Sequence, residues 1–339
     1  MRSAVWHGPK DIQVSETVVP GLAPGEVLLK VEAVGICGSE LSGYLGHNSL
    51  RVPPLVMGHE FSATVVERAP DVTSIALGSR VTVNPMVPDL DCVMCRAGLE
   101  NLCLGRTLIG AHRPGAFAEF VAVPALACYQ LPDSVDTIAG TLVEPTACAL
   151  RAVELAHISP GSSVLILGAG PIGLLSLLVA KAAGANQIII SDLAPKRLEL
   201  ASTWGATHTV NPSKTDIASF TRDITGGLGC DAVIDAVGLP ATRKSAVYAV
   251  RPGGRVVLIG LHEDDSTLPG NHIIRSEIEI KGAFCYTQAN FASSIRLIAS
   301  GFLPDSSSWV DVRSLEETND SFAQLIEDPS SAVKIVLQP

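Results

Sequence analysis

The hydrophobic positions follow two regimes along the chain. From residue 1 to 145, short Val-containing runs are broken by Gly and Pro, as in Glu26-Val27-Leu28-Leu29-Lys30-Val31 and Ser79-Arg80-Val81-Thr82-Val83. This is the pattern of strands in a β-rich domain. From residue 160 on, short apolar runs at Ser163–Leu167, Gln187–Ser191, Ala232–Asp235 and Arg255–Ile259 alternate with helical stretches such as Leu174–Ala183. Strand and helix in alternation predict βαβ units around a parallel sheet. A strand over Glu277–Lys281 closes this region, followed by a helical segment near Phe291–Ser300 and a last strand near Ala332–Leu337. The expected division is a β-rich domain over 1–147, an α/β doubly wound domain over 148–288, and a segment, 289–339, too short to fold alone and expected to pack back on the first.

Length agrees, since 339 residues at roughly 150 per domain suggest two domains. A composition with 47% hydrophobic and 17% charged residues excludes a disordered chain. The net charge of −10, with no basic block, speaks against nucleic acid and anionic membranes as partners and leaves small molecules. The most apolar stretch, Val164 to Ala180, is interrupted by Gly168, Gly170, Pro171 and Gly173 and falls short of the ~20 residues of a membrane span. No export signal is legible before Gly8-Pro9, so a cytoplasmic location is expected. Of eight cysteines, Cys92, Cys95 and Cys103 lie within twelve residues, a clustering that points to metal rather than disulfides in such a chain.

Gly168-Ala169-Gly170-Pro171-Ile172-Gly173 follows a predicted strand and opens a predicted helix. In that context the first glycine permits the turn, the second lets backbone approach a pyrophosphate, and the third lets helix pack on strand. Asp192 ends the next strand, 19 residues after Gly173, where a carboxylate accepts hydrogen bonds from ribose hydroxyls and repels a 2′-phosphate. NAD is therefore the expected cofactor, with Lys196 and Arg197 as nearby cations that either cradle a phosphate, stack on adenine, or are ordinary surface charges. Upstream, Cys37 in Gly35-Ile36-Cys37-Gly38-Ser39-Glu40 and the pair His59-Glu60 in Gly58-His59-Glu60-Phe61 offer thiolate, imidazole and carboxylate near Gly-rich turns. These are zinc ligand types, and catalytic zinc takes three protein ligands plus water.

Taken together, these motifs, the cysteine cluster and Glu144-Pro145 resemble the zinc-dependent medium-chain dehydrogenases, near the polyol (sorbitol) and threonine dehydrogenase branch, over essentially the whole chain. The resemblance implies a GroES-like domain interrupted by a Rossmann domain, an active site in the cleft between them, domain closure on cofactor, and a homodimer or homotetramer. It also implies a catalytic zinc on Cys37, His59, Glu60 and Glu144, one glutamate acting through water, and an alcohol proton relayed by Ser39. Zinc alcohol dehydrogenases have a relay histidine five residues after the cysteine; here that position is Ser42, so the outer proton path is expected to run through Glu40, His47 or water.

By the same resemblance Cys92, Cys95 and Cys103 belong to a lobe in which four cysteines hold a structural zinc. The first of the four is replaced by Asp89, with Asp91 close enough to substitute, and Asp is a legitimate oxygen ligand. The alternative is a lobe, residues 85–105, that folds without metal. His112 and Phe117 fall on a segment that contributes to the substrate cleft in relatives, and Tyr286 on one that reaches the nicotinamide. Cys285 stands where sorbitol dehydrogenases have an arginine, which weakens sorbitol itself as substrate. Tyr44, His47 and Arg51 are expected at the mouth, and Arg51 with Arg113 is the one cation pair that could meet a phosphate. The expected reaction is hydride transfer between NAD and the secondary alcohol of a polyol or sugar derivative. A sugar-alcohol phosphate or threonine is the alternative substrate, and a noncatalytic NAD-binding protein the alternative class.

Overall fold

The computed structural model describes residues 1–339 and divides into two compact units, one formed by Met1–Glu144 with Thr287–Pro339 and the other by Pro145–Tyr286. The first holds a three-stranded, a seven-stranded and a two-stranded sheet; the second holds one six-stranded sheet. This is the α/β architecture of a GroES-like domain and a Rossmann domain. No helix is long and apolar enough to cross a membrane, and all eight cysteines are free thiols.

In the second unit the strands Ser163–Leu167, Gln187–Ser191, His208–Val210, Cys230–Asp235, Val250–Leu258 and Glu279–Gly282 are all parallel. Numbered along the chain, they lie in the order 3-2-1-4-5-6, the doubly wound arrangement that binds dinucleotides where the order reverses. Val164, Leu165, Ile166 and Leu167 are each at most 1% exposed, as expected where helices cover both faces of a parallel strand. The expected strand at Arg255–Ile259 begins earlier, at Val250. The pairing steps from Cys230–Val250 to Ala232–Arg255, so Pro252-Gly253-Gly254 bulges out inside the strand instead of ending it.

In the first unit the long strand Glu26–Gly35 is the hub. It pairs antiparallel with Glu60–Arg68, with Phe120–Pro124 and with the last strand, Lys334–Gln338. That last strand also pairs in parallel with Val310–Ser314, so the C-terminal segment completes this unit's sheet. The helix Thr318–Glu327 brings Phe322 against Tyr44, ring centroids 5.2 Å apart, and edge-on to Phe117 at 5.8 Å. All three rings are buried. Phe322→Ala is expected to cost about 3–5 kcal/mol, read as an earlier unfolding midpoint of the first unit in denaturant.

Candidate metal centre and dinucleotide site

The register that sets Gly35 opposite Glu60 also gathers the chemistry. Cys37 lies just beyond the end of one strand and His59 just before the start of the other. One ligand atom each from Cys37, His59 and Glu60 lies within 4.8 Å of the others. Gly35 keeps the space clear, since a Cβ there would stand 2.7 Å from Glu60 Oε2 and 2.8 Å from Lys334 Cε.

Glu40, in the first turn of the helix Gly38–Tyr44, organises the group and is fully buried. Its Oε2 accepts from the Cys37 amide at 3.1 Å, and its Oε1 accepts from the Gly58 amide at 2.8 Å and meets His59 Nδ1 at 2.7 Å. Burial on its own would raise the Glu40 pKa, but His59 and Arg51 outweigh it and hold the group below its ordinary value. With Glu40 a carboxylate, His59 Nδ1 donates, and Nε2 is left for a metal. Burial would lower the His59 pKa, yet Glu40 and Cys37 hold it well above the ordinary value. A thiol, an imidazole and a carboxylate converging in this way form a donor set that fits a divalent cation.

Sequence reasoning missed Lys334. It is 2% exposed, and its Nζ donates to Ile36 O at 3.0 Å and pairs with Glu60 Oε2. Burial would lower its pKa, but Glu60 and Cys37 outweigh burial and keep it raised, so it stays an ammonium. Nothing local marks it, because 274 residues separate the two partners.

Glu144 is buried in the first turn of the helix Val143–Leu155 and lies outside the close Cys37, His59 and Glu60 group. Ser39 stays within reach of Cys37, its Oγ 3.6 Å from Sγ. Glu40, fully engaged with Cys37, Gly58 and His59, is a positioning group and not an outer proton path. His47 is exposed.

Two of the expected pocket residues lie in the core of the first unit. Phe117 is fully buried and Tyr44 3% exposed, both in the core around Phe322, where their apolar area is better hidden. The Tyr44 hydroxyl donates to Asn319 Oδ1 at 3.1 Å. His112 Nδ1 accepts from the Leu108 amide at 3.0 Å and so closes its own turn. Arg51 turns inward onto Ser39, while Arg113 pairs with Glu26 at 2.6 Å and donates to Ala122 O at 2.9 Å, so the two do not act as a phosphate pair. Tyr286 is 1% exposed, and Cys285 before it has a positive φ of 47°.

The cysteine lobe comes together as a second group, Asp89, Cys92, Cys95 and Cys103, again within 4.8 Å. Asp89 Oδ1 accepts from the amides of Asp91 and Cys92 at 2.9 Å each, which holds its carboxyl well below the usual range. Cys95 goes the other way, pushed up to about 12 by desolvation and by the sulfur and oxygen atoms of Cys103, Cys92 and Asp89. Such a concentration of anionic donors fits a cation. Asp91 is not part of it and pairs with Arg96 at 2.6 Å.

In the second unit the three glycines divide their work as expected. Gly168 has a φ of +94°, Gly170 caps the helix Pro171–Ala182, and Pro171 and Ile172 open it. A Cβ on Gly173 would fall 1.8 Å from Gly168 O, whereas a Cβ on Gly170 would meet nothing within 4 Å. Gly173 is thus required for packing, and the face at Gly170 is open for a ligand. Asp192 follows its strand and accepts from the Ala169 amide at 2.7 Å and the Ala194 amide at 2.8 Å. Lys196 and Arg197 sit in the first turn of the next helix, Pro195–Trp204. Two cavities of about 550 and 630 Å³ lie beside Gly161 and Asp231, at the strand ends remote from the Gly168 turn, and are not part of this site.

Known proteins share this fold. The family model of the alcohol dehydrogenase GroES-like domain matches residues 23–133, and that of the zinc-binding dehydrogenases matches 171–300. Sorbitol dehydrogenase of Bacillus subtilis (strain 168) is 33% identical over 345 aligned positions, covering 100% of this chain and 97% of the relative. Among solved structures, 2R,3R-butanediol dehydrogenase from Bacillus subtilis superposes with a TM-score of 0.91 at 32% identity, over 100% of this chain and 99% of the other. A Sinorhizobium meliloti 1021 chain, assigned to the zinc-binding dehydrogenases and bound to NADP, gives 0.92 at 33% identity, over 100% and 99%. The chain belongs to the zinc-dependent medium-chain dehydrogenase family, in its polyol branch.

Removing the Lys334 charge isolates a buried carboxylate. Lys334→Met is expected to destabilise the metal-free protein by about 3–5 kcal/mol in urea unfolding, and adding Glu60→Gln should recover much of that loss. Equal stabilities of the single and double variants would show that the pair carries little.

Proposed function

We propose that this protein is an NAD-dependent, zinc-dependent dehydrogenase that interconverts the secondary alcohol of a polyol or sugar derivative with its ketone. The observation that carries the reading is the Cys37, His59 and Glu60 group, with His59 held by a buried carboxylate so that its outer nitrogen serves a metal. The names of the relatives, sorbitol dehydrogenase and butanediol dehydrogenase, support the choice of a polyhydroxy or diol substrate.

Zinc, when bound, supplies a Lewis acid that lowers the pKa of the alcohol and polarises the carbonyl in the reverse direction. Cys37, His59 and Glu60 would hold it, with Glu144 reaching it directly or through water. NAD, when bound, would accept the hydride from carbon while the hydroxyl proton is released, giving ketone and NADH. Ser39, beside Cys37, meets the substrate oxygen and donates a hydrogen bond to it. Asp89, Cys92, Cys95 and Cys103 would hold a second, structural zinc. The glycine turn receives the pyrophosphate and Asp192 the adenosine ribose, a carboxylate disfavouring the 2′-phosphate of NADP. Arg197, in the helix turn after Asp192, is a neighbouring cation toward the adenosine. We further propose a cytoplasmic homo-oligomer. A phosphorylated substrate is disfavoured by the pairing of Arg113 with Glu26.

The test is NADH formation by zinc-replete enzyme over free polyols, sugars, phosphorylated polyols, threonine and simple secondary alcohols, with a chelated control. Chelator-sensitive turnover on polyols is expected; turnover that persists without metal would overturn the reading. Metal analysis should find two zinc ions per chain, and Cys37→Ser should remove one of them together with turnover while NADH binding, followed by fluorescence, persists. Asp192→Asn removes the charge and keeps one of the two amide contacts, so the preference for NAD over NADP in kcat/KM should narrow by about tenfold. An unchanged preference would remove Asp192 from the ribose site.

A further inference from the structure

Arg51 stands out among the charged residues that the proposed mechanism leaves unused. It is 4% exposed and takes part in no salt bridge within 4.0 Å. A buried guanidinium with no ion pair is costly to keep. Its hydrogen bonds go to a single residue. Nη1 donates to Ser39 O at 3.1 Å and Nη2 to Ser39 Oγ at 3.3 Å, while Nε is buried without a partner. The side chain is held in this pose by the helix it lies on, where a Cβ at Gly43 would fall 2.7 Å from Arg51 Cδ. The fork is thus seated on one serine, and that serine is 3.6 Å from the Cys37 sulfur.

We propose that Arg51 is a positioning residue of the dehydrogenase reaction: it fixes the direction in which the Ser39 hydroxyl donates. The proposal rests on the dehydrogenase reading above. A serine hydroxyl has one hydrogen and two lone pairs and rotates to suit its surroundings. A guanidinium has only donors and stays protonated, so wherever it meets Ser39 Oγ it occupies a lone pair and forbids the hydroxyl hydrogen from pointing there. The hydrogen is left facing the Cys37 side, where its only partner in this structure is sulfur, a weak acceptor. A substrate oxygen arriving beside Cys37 is a stronger acceptor, and strongest once it has lost its proton and carries negative charge. Ser39 then donates to it without having to reorient, which is the condition under which a fixed dipole lowers a barrier.

The experiment is a double-mutant cycle on the zinc-replete enzyme with its best alcohol, reading kcat, KM, the isotope effect of a carbon-deuterated alcohol, NADH affinity, zinc content and melting temperature. Ser39→Ala is expected to lower kcat by about 100-fold, the scale for losing one preorganised donor. Arg51→Met should lower kcat by roughly tenfold or more on the same scale, with a smaller change in KM, a raised isotope effect, and zinc content and NADH affinity unchanged. In the Ser39→Ala background the Arg51 substitution should have no further effect, because nothing is left to orient. If Arg51→Met loses the same factor with and without Ser39, or loses none, the proposal is wrong. Should that variant fail to fold, Arg51→Lys, which keeps the charge but not the fork, enters the same cycle with the same expectation of dependence on Ser39. Absence of alcohol turnover in the unsubstituted enzyme defeats the dehydrogenase reading and this proposal together, whereas turnover with additive losses defeats this proposal alone.

Discussion

The first unit has to keep several acidic groups together away from water, and the charge balance that allows this governs its structure. Glu40 and Glu60 are both buried, and Cys37 stands beside them. Burying such groups without partners would be costly. Lys334 answers Glu60, His59 answers Glu40, and Arg51 contributes its charge to the same neighbourhood. Each cation arrives on a different element: the last strand, the approach to a strand, and the loop that follows a short helix. The sheet register, the placement of Gly35 and the entry of the C-terminal segment can all be read as conditions for that meeting.

The second unit solves a different problem with little charge. Its site is made of backbone, with glycine chosen where a side chain would collide and where one would obstruct. Asp192 ties the turn to the next strand through two amides while keeping a carboxylate at hand. One unit therefore presents a charged and tightly partnered centre, the other an open cradle of N–H groups.

Legibility in the sequence followed the range of the interactions. The glycine turn was readable because its parts lie within six consecutive residues and its demands are steric. The strands of the parallel sheet were readable because burial on both faces leaves unbroken apolar runs. Cys37, His59 and Glu60 were readable as ligand types, and the lobe at Asp89 as a spacing. Lys334 and the true place of Arg51 were not, since a lone Lys or Arg looks the same whether it snorkels to water or is folded inward. Phe117 and Tyr44 misled for the converse reason. An aromatic near a predicted site reads as a pocket wall until its partner is known, and that partner, Phe322, comes from the far end of the chain. His112 is exposed and uses one ring nitrogen to close its own turn, a contact only four residues away along the chain.

The dependence of the metal group on Lys334 has a bearing on how the protein is born. Synthesis delivers Cys37 and His59 early, but the ammonium that balances Glu60 and the strand that walls off the spot emerge only as the ribosome nears residue 334. Until then the nascent first unit lacks one edge of its hub strand, and a complete unit of the second kind is made and can fold in between. The Cys37, His59 and Glu60 group thus reaches its final form only late in biogenesis, when the last strand joins the hub strand and brings Lys334 to Glu60.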